Sequence, residues 1–499
     1  MTSLTAATLA SLPSGVAVPS YDRSRVRSGI VHFGVGGFHR AHQAMYLDDL
    51  MNAGLAMDWG ITGVGVLPQD RPMLEVMSAQ DRLYTLLVKH PDGSLSARVI
   101  GSIVDYLLAP DDPEAVLARL VDPATRVVSL TITEGGYNVS ATGEFVPDSE
   151  IEQDLEPDVA PSTVVGYLTE ALVRRRAAGT APFVVMSCDN IAGNGEVTAA
   201  MVTGFARLRD PELATWIEQS VSFPSSMVDR ITPVTTDVDR ARLSDAFGVE
   251  DAWPVVCEPF AQWVLEERFP DGRPPWEDAG VQVVDDVEPY ELMKLRLLNA
   301  GHQAIGYLGY LAGYRYAHEV CSDPLFVRFL RGYMDDEATP SLPEVPGIDL
   351  DAYKSNLVER FASPEIKDTL ARLCAYSSDR IPPWLLPVVR HQLASGGEVR
   401  RSALIVAAWA RYAEAVDESG EPIDVVDRRR DSVLAKAQQQ GEEPLAFLQD
   451  GELFGDIAED ETFTSAYLAA LESLHVNGAR ATLEHWEDTV RSSSGAGSR

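Results

Sequence analysis

The chain contains the stretch Gly29-Ile30-Val31-His32-Phe33-Gly34-Val35-Gly36-Gly37-Phe38-His39-Arg40. Its first five residues predict a short apolar strand, and residues 41–51 predict a helix. Glycines between the two allow a tight turn and let backbone N–H groups approach a pyrophosphate at a helix N-terminus. The usual third glycine is replaced by His39, so a purely structural turn is an alternative. The predicted cofactor-binding residues of this turn are Gly34, Gly36, Gly37 and Phe38.

The first half of the chain continues to alternate strand-like and helix-like segments. Further strands are predicted at 59–67, 126–133 and 183–187, a helix at 163–178, and a hairpin around Pro91-Asp92-Gly93. This succession predicts an α/β fold with a mostly parallel, doubly wound sheet. From about residue 289 the chain predicts long helices separated by Pro and Gly clusters, at 290–314, 325–334, 350–361, 365–376, 385–394, 399–416, 462–475 and 478–491. We therefore expect a Rossmann-like dinucleotide-binding domain at 1–285, a helical substrate-binding and catalytic domain at 286–491, and a disordered tail at 492–499.

Polar side chains follow several of the predicted strands. Asp70 follows the second strand, Glu134 lies in Thr131-Ile132-Thr133-Glu134-Gly135-Gly136-Tyr137, and Asn190 ends Ser187-Cys188-Asp189-Asn190. Ligands of open α/β sheets bind outside the carboxyl ends of the strands. A carboxylate at Asp70 can hold both ribose hydroxyls of the adenosine and repel a 2′-phosphate, which favours NAD. Gln69 and Arg71 beside it leave NADP open, and a surface aspartate is the simpler alternative.

The second half contains Lys294-Leu295-Arg296-Leu297-Leu298-Asn299-Ala300-Gly301-His302. If the segment is an α-helix, Lys294, Asn299 and His302 lie near 0°, 140° and 80° around its axis at about 100° per residue. An amine, an amide and an imidazole on one side of a helix can form a site for the oxidation of an alcohol without a metal. Burial and cations such as Arg296 or Arg372 would lower the lysine pKa from about 10.4 toward roughly 7–8. The alternative is a solvated lysine, a surface asparagine and a packed histidine.

Composition limits the classes of function. A net charge of −34 argues against binding to nucleic acid or to an anionic membrane surface. The four cysteines are far apart and no His/Cys cluster has zinc-site spacing, so we expect reduced thiols and no metal. We see no apolar run long enough to span a membrane and no convincing signal peptide, and therefore expect a cytoplasmic protein.

Taken together, these motifs resemble the polyol-specific long-chain dehydrogenase/reductase family, also called the mannitol dehydrogenase family. The resemblance extends from about residue 20 to 490 and includes two further segments, Met227-Val228-Asp229-Arg230-Ile231-Thr232-Pro233 and Gln262-Trp263-Val264-Leu265-Glu266. It implies NAD as the cofactor, an N-terminal Rossmann domain, a site closed by a helical C-terminal domain, and a zinc-independent reaction. It also favours a monomer.

The resemblance also implies a role for each candidate residue. Lys294 would be the general base, Asn190 and Asn299 would hold the reacting oxygen, and His302 would orient the substrate alcohol. Glu134, which we place with the cofactor site, would help the proton reach solvent. The substrate-contacting positions would be Asp229, Arg372 and Arg380. Arg380 departs from the lysine of the mannitol-specific members, and a guanidinium is a planar fork where an ammonium is a point charge.

Several functions remain open at this point. The leading expectation is interconversion of D-mannitol and D-fructose. The alternatives within the family are D-arabinitol 4-dehydrogenase and a fructuronate reductase, for which Arg380 could bind the sugar carboxylate. An alternative of another class is a catalytically silent sugar- or nucleotide-binding protein that keeps the fold.

Overall fold

A computed structural model describes residues 2–140, 143–156 and 159–494 of the chain. It divides into two compact units, Met1–Glu288 and Pro289–Arg499. The division lies close to the boundary after residue 285 that the sequence suggests. The last helix continues through Ser494, so it includes the first residues of the segment expected to be a disordered tail; the rest of that segment, 495–499, lies outside the described residues.

The strands of the described chain all belong to the first unit. In chain order they are β1 Thr2–Ser3, β2 Val16–Ala17, β3 Ser28–Phe33, β4 Gly60–Gly65, β5 Tyr84–Lys89, β6 Leu95–Ile100, β7 Ile103–Leu108, β8 Val127–Leu130, β9 Val184–Ser187, β10 Ser226–Asp229, β11 Val249–Glu250, β12 Val255–Cys257, β13 Gln262–Glu266 and β14 Gln282–Val284.

The α-helices are found in both units. Those of the first unit are α1 Gly37–Ala41, α2 Gln43–Asn52, α3 Arg71–Ala79, α4 Pro113–Val121, α5 Ser149–Asp154, α6 Val164–Ala178, α7 Asn194–Arg209, α8 Pro211–Ser220 and α9 Asp237–Phe247. From the boundary onward they are α10 Glu288–Met293, α11 Ala300–Leu311, α12 Ala317–Cys321, α13 Pro324–Gly332, α14 Leu350–Phe361, α15 Leu370–Cys374, α16 Ser377–Trp384, α17 Leu386–Ser395, α18 Arg400–Tyr412, α19 Arg430–Gln439, α20 Gly451–Phe454 and α21 Glu461–Ser494.

The central sheet of the first unit has the order β7-β4-β3-β8-β9, with every neighbouring pair parallel. The chain starts at β3, moves outward through β4 to β7, then returns to β8 on the other side of β3. The strand order therefore reverses between β3 and β8, and such a switch point opens a crevice at the carboxyl ends of the strands. The predicted doubly wound sheet is confirmed.

Alternating residues of the central strands enter different cores. In β3, Ile30 packs on one face of the sheet, whereas Val31 and Phe33 pack on the other; Val127 and Val128 of β8 divide in the same way. Helices α2 and α3 contribute to the first core, and α4, α6, α7 and α8 to the second. A parallel sheet covered on both faces explains why its strands are apolar runs rather than alternating sequences.

Three smaller sheets belong to the same unit, and the smallest pairs β1 with β11 in parallel. The predicted hairpin is confirmed as the antiparallel pair β5 and β6, which joins β12 and β2 in a four-stranded sheet. Strands β10, β13 and β14 form a three-stranded sheet. This three-stranded sheet is not predicted from the sequence, because its strands are only three to five residues long.

The second unit is helical in its described part, as predicted. Helix α11 packs against α12, α13, α15, α16, α18 and α21, and α18 against α21. Helix α21 joins two predicted helices across Gly478, where φ is 79°. Helix α19 was not predicted; its pattern is too polar to suggest a buried face. None of the helices described in either unit is long and apolar enough to cross a membrane.

The segment that follows α10 differs from the predicted α-helix. Residues Lys294–Asn299 form a π-helix, and the N–H of Ala300 donates to the carbonyl of Leu295, five residues back. The uniform α-helix that we assumed for this stretch is therefore wrong. A second π-helical segment, Tyr333–Ala338, follows α13. Such segments are rare and are often found at functional sites.

A buried carboxylate in the second π segment caps a distant helix. Glu337 is fully buried, and its Oε1 accepts from the N–H of Arg401 at 2.7 Å. Its Oε2 accepts from the N–H of Ser402 at 2.8 Å and from the Ser402 hydroxyl at 2.5 Å. Val399, which precedes α18, provides no side-chain cap. Glu337 therefore satisfies the first N–H groups of α18 from another part of the unit.

We expect Glu337→Gln to lower the free energy of unfolding by about 1–3 kcal/mol, because the amide nitrogen places a donor against donors in a buried site. Chemical denaturation of the purified protein measures this change. The exposed Glu344 provides the control, and Glu344→Gln should change stability by less than about 0.5 kcal/mol. Equal stabilities of the two variants would contradict the capping role.

Candidate active site

The glycine turn follows β3 at the switch point of the sheet. Gly34 has φ of 89°, and a Cβ placed on it would lie 2.0 Å from the Thr131 carbonyl oxygen, so only glycine fits there. Gly36 is different: a Cβ there would meet nothing closer than 4.0 Å. Its glycine is therefore not required by packing, and the open space suits the close approach of a ligand to the backbone. Gly37 and Phe38 begin α1 immediately afterwards.

Side chains connect the glycine turn to the neighbouring strand β8. Thr131 Oγ1 donates to the Gly34 carbonyl at 2.6 Å, and the His32 ring nitrogens lie 2.9 Å from Thr131 Oγ1 and 2.8 Å from Ser129 Oγ. The ring of His39 stacks on His32 with 3.4 Å between centroids. Burial lowers the pKa of His32 to about 3 and that of His39 well below its usual value, so both rings are neutral. His39, at the position of the missing third glycine, thus packs into the turn.

Asp70 lies after β4 at the same edge of the sheet. Its Oδ2 accepts from the N–H groups of Val66 and Leu67, each at 2.9 Å, which leaves Oδ1 to face other donors. Arg71 is engaged elsewhere, since its guanidinium forms a two-bond ion pair with Asp111, one bond being 3.1 Å. Arg71, the cation that could receive a 2′-phosphate, is therefore paired with a carboxylate.

Asp189 holds together the ends of β8 and β9. Its carboxylate accepts from the N–H groups of Ile132 and Thr133 at 2.8 and 2.9 Å and from the Tyr137 hydroxyl at 2.7 Å. Burial raises the pKa of Asp189, and these donors oppose that shift. The bonds keep Thr133 at a φ of 61°, which is unusual for a β-branched residue.

The loop that Asp189 fixes carries Glu134, and Asn190 is the next residue along the chain after Asp189; both side chains are exposed. Asp189 has no role predicted from the sequence. A carboxylate directly after a buried strand is a detectable signal, but its partners lie more than 50 residues away.

Asp229 ends β10, in the three-stranded sheet, and is 6% exposed. The next residue, Arg230, donates to the Ala41 carbonyl at 2.6 Å and to the Glu258 carbonyl at 2.9 Å. Thr232 lies 3.4 Å from the position of a Cβ on Gly37. The segment 227–233 therefore packs against the helix that starts at the glycine turn.

In the helical unit, Lys294 and Asn299 are the first and last residues of the first π segment and are 7% and 4% exposed. With i→i+5 hydrogen bonding, residues five apart lie one turn above each other. His302 is three residues further, in α11, and lies on the same face as Asn299. The π-helix therefore brings Lys294 and Asn299 closer to one direction than an α-helix, in which they would lie about 140° apart.

Asn299 and His302 have different surroundings. The Nδ2 of Asn299 is buried and has no hydrogen-bond partner among the described residues. A buried amide donor left without a partner is costly and calls for an explanation such as a ligand oxygen. The half-buried His302 ring packs on Phe361 with 4.3 Å between centroids.

The two arginines predicted to contact the substrate are adjacent but already engaged. Arg372 forms a two-bond ion pair with Asp368, which raises the pKa of the guanidinium further. Arg380 donates to the carbonyls of Arg372 and Leu373 at 3.1 and 3.3 Å. Its guanidinium lies 5.9 and 5.6 Å from the ring centroids of Tyr376 and Trp384. The charge of Arg372, which we expected to act on Lys294, is therefore offset by a carboxylate.

The structure brings the predicted residues together in two groups, one in each unit. The first comprises residues at the carboxyl edge of the central sheet, namely Gly34, Gly36, Gly37, Phe38, Asp70, Glu134 and Asn190. The second comprises Lys294, Asn299 and His302 on one helical face, with Arg372 and Arg380 in α15 and α16. Asp229 belongs to the first unit but to a different sheet. All four cysteines are buried and unbonded to one another.

Two family profiles match the chain over most of its length. The profile described as the mannitol dehydrogenase Rossmann domain matches residues 28–278, and the mannitol dehydrogenase C-terminal domain matches residues 286–475. Among curated proteins, a mannitol 2-dehydrogenase of Phaeosphaeria nodorum is 48% identical over 477 residues, which cover 94% of this chain and 83% of the relative.

Two solved structures are similar over the whole chain. A ternary complex of Pseudomonas fluorescens mannitol 2-dehydrogenase with NAD and D-mannitol is 46% identical with a TM-score of 0.87, covering 98% of this chain and 100% of that one. A substrate-free D-sorbitol dehydrogenase is 38% identical with a TM-score of 0.88, covering 96% and 100%. On both the sequence and the structural evidence, the chain belongs to the mannitol dehydrogenase family.

Proposed function

We propose that this chain catalyses the NAD-dependent oxidation of D-mannitol to D-fructose, and the reverse reduction, without zinc. Membership of the family makes it an NAD-dependent polyol dehydrogenase. The similarity to mannitol 2-dehydrogenases supports D-mannitol as the substrate. The observation that carries the mechanism is the buried amide donor of Asn299, one turn from the buried amine of Lys294.

The residues after β3 and β4 suit a dinucleotide. The open face of Gly36 and the first N–H groups of α1 can receive a pyrophosphate, and Oδ1 of Asp70 can accept from ribose hydroxyls. The charge of Arg71, which could favour a 2′-phosphate, is offset by the carboxylate of Asp111. These features favour NAD over NADP. When bound, NAD supplies the nicotinamide ring that accepts a hydride from the carbinol carbon.

Lys294 takes the proton of the substrate hydroxyl as the carbon–oxygen bond becomes a carbonyl. The lysine must be neutral to act as a base, and its side chain is buried. Asn299, with Asn190, donates to the oxygen as negative charge develops there. Losing one such donor typically costs about 2.7–4 kcal/mol of barrier. His302 orients the alcohol, and Glu134, exposed at the edge of the sheet, passes the proton to solvent.

The two arginines bear on the choice of substrate. A uronate would need a cation for its carboxylate. The charge of Arg372 is offset by Asp368, whereas Arg380 donates to two backbone carbonyls and keeps its positive charge. The similarity to mannitol 2-dehydrogenases favours a neutral polyol over fructuronate. We retain Arg372, Arg380 and Asp229 as residues that contact the substrate hydroxyls.

The proposed state is a monomer located in the cytoplasm, with no nucleic acid or membrane as a partner.

The first prediction concerns the base. Lys294→Ala should lower kcat for mannitol oxidation by about 10²–10⁴-fold, the usual contribution of a positioned base. NADH binding, followed by fluorescence, should be unchanged because the proposed cofactor residues lie elsewhere in the sequence. Lys436→Ala, on α19, is the control and should keep full turnover. Near-native turnover of Lys294→Ala at neutral pH would show that another group is the base.

The second prediction concerns the substrate. In a panel of fructose, xylulose and fructuronate, each with NADH and with NADPH, fructose with NADH should give the highest kcat/KM. Fastest turnover of fructuronate would contradict a neutral polyol as the substrate. Fastest turnover of xylulose would indicate D-arabinitol 4-dehydrogenase, and absence of turnover with every pair would indicate a silent binding protein.

The third prediction concerns metal. In the part of the chain that the structure describes, no three His, Cys, Asp or Glu side chains are grouped to hold a metal ion. Prolonged treatment with EDTA, followed by removal of the chelator, should therefore leave kcat unchanged. A loss of activity that added zinc restores would overturn the zinc-independent mechanism.

A further inference from the structure

The π-helical turn at Lys294–Asn299 changes the hydrogen bonding of one carbonyl. In an α-helix the N–H of Ala300 would donate to the carbonyl of Arg296, four residues back. Here it donates to Leu295 instead. The Arg296 carbonyl therefore gives up its α-helical partner and is open to a donor from outside the helix.

A tyrosine from the second π segment donates to that carbonyl. The hydroxyl of Tyr333 lies 3.0 Å from the Arg296 carbonyl oxygen, and the Tyr333 side chain is fully buried. Burial raises the pKa of this phenol well above its usual value, so the hydroxyl stays protonated and remains a donor at any working pH.

The side chain of Arg296 is held by the same part of the unit. Its guanidinium donates to the carbonyl of Ser341, just beyond the second π segment. The Ser341 hydroxyl in turn donates to the Ala338 carbonyl at 2.6 Å. Arg296 therefore accepts a hydrogen bond from Tyr333 at its backbone and donates one to Ser341 from its side chain. We call these two contacts the Arg296 clamp.

We propose that Tyr333 is a positioning residue for the reaction: through the Arg296 clamp it keeps Lys294–Asn299 in the π-helical form that aligns Lys294 with Asn299. The inference rests on the proposed function, because it needs Lys294 and Asn299 to act on the same hydroxyl. The hydroxyl of Tyr333 and the N–H of Ala300 are alternative donors to one carbonyl. Without the hydroxyl, the α-helical bond from the N–H of Ala300 to the Arg296 carbonyl is populated more. In that form Lys294 and Asn299 point about 140° apart.

A purely structural role makes different predictions. A buried tyrosine that only fills space and satisfies a carbonyl would, when changed to phenylalanine, lower stability and leave the chemistry of the folded protein intact. A positioning role changes how the base and the amide meet the substrate. It therefore affects kcat and its dependence on pH, which a loss of stability alone does not move.

The test is Tyr333→Phe, which keeps the ring and removes only the hydroxyl. We expect kcat for D-mannitol oxidation to fall by about 10- to 100-fold, the loss that fits one buried hydrogen bond. The apparent pKa in the pH profile of kcat should move by at least about 0.5 unit, since the surroundings of the base change. The KM for NAD should stay within about twofold. All assays are run well below the unfolding midpoint of the variant.

Tyr467→Phe is the matched control. Tyr467 is also fully buried in the helical unit, and its hydroxyl donates to Gln440 at 2.5 Å, a contact between α21 and the residue after α19. This variant should lose stability but keep the wild-type kcat and pH profile. If Tyr333→Phe behaves like Tyr467→Phe, the positioning role is wrong.

A second variant covers the case in which Tyr333→Phe does not fold. Arg296→Lys weakens the other half of the clamp, because an ammonium cannot reproduce the reach and planar geometry of a guanidinium. It should lower kcat and shift the pH profile in the same direction as expected for Tyr333→Phe. A wild-type kcat and pH profile in Arg296→Lys would overturn the proposal.

Lys294→Ala separates this inference from the proposed function. If Lys294→Ala remains active, the assignment of the base fails and the positioning role fails with it. If Lys294→Ala is inactive while both clamp variants keep the wild-type kcat and pH profile, only the inference about Tyr333 fails.

Discussion

The π-helical segment Lys294–Asn299, in which the N–H of Ala300 donates to the carbonyl of Leu295, determines the geometry of the proposed catalytic face. It adds a residue to a single helical turn, and that change puts residues 294 and 299 on the same face. The following turn of α11 then adds His302 at the usual helical spacing. Because both ends of the turn are buried, this backbone geometry is protected from water.

In the first unit, side-chain hydrogen bonds fix the backbone of the loops that carry the predicted site residues. Where the strand order reverses between β3 and β8, Thr131 donates to Gly34 and fixes the glycine turn. Asp189 ties the loop after β8 to the end of β9. Buried polar groups with satisfied bonds thus set the positions of exposed ones, Glu134 and Asn190 among them. Such bonds matter most where the ladder of the sheet ends and no longer holds the backbone.

Much of the fold could be predicted from the sequence because its signals are local. Apolar runs, glycine turns and Pro-Asp-Gly in the hairpin indicated the parallel sheet, the dinucleotide turn and the β5–β6 pair. The spacing of Lys294, Asn299 and His302 placed them on one side of a helix, and the family resemblance implied their roles. The π-helix was not predictable in this way, since hydrophobic periodicity over six residues does not distinguish four from five residues per hydrogen-bonded step.

The partners of the charged residues were also beyond the sequence. Arg71 is 40 residues from Asp111, and Arg296 is 45 residues from Ser341. The sequence predicts that Arg71 can act on a ligand and Arg296 on the base. The pairing of Arg71 with Asp111 instead favours NAD, and the contact with Ser341 makes Arg296 part of the clamp. Long-range contacts of this kind depend on packing that no local pattern encodes.

The most direct test of the account is a crystal structure of the chain with NAD and D-mannitol bound. The measured quantities are the distances from the Ala300 nitrogen to the Leu295 and Arg296 carbonyl oxygens, and from Lys294 Nζ and Asn299 Nδ2 to the substrate hydroxyls. We predict that Ala300 donates to Leu295 and that both side chains contact the same hydroxyl oxygen. A regular α-helix through 294–299, or an amine and an amide on different hydroxyls, would contradict the central claim.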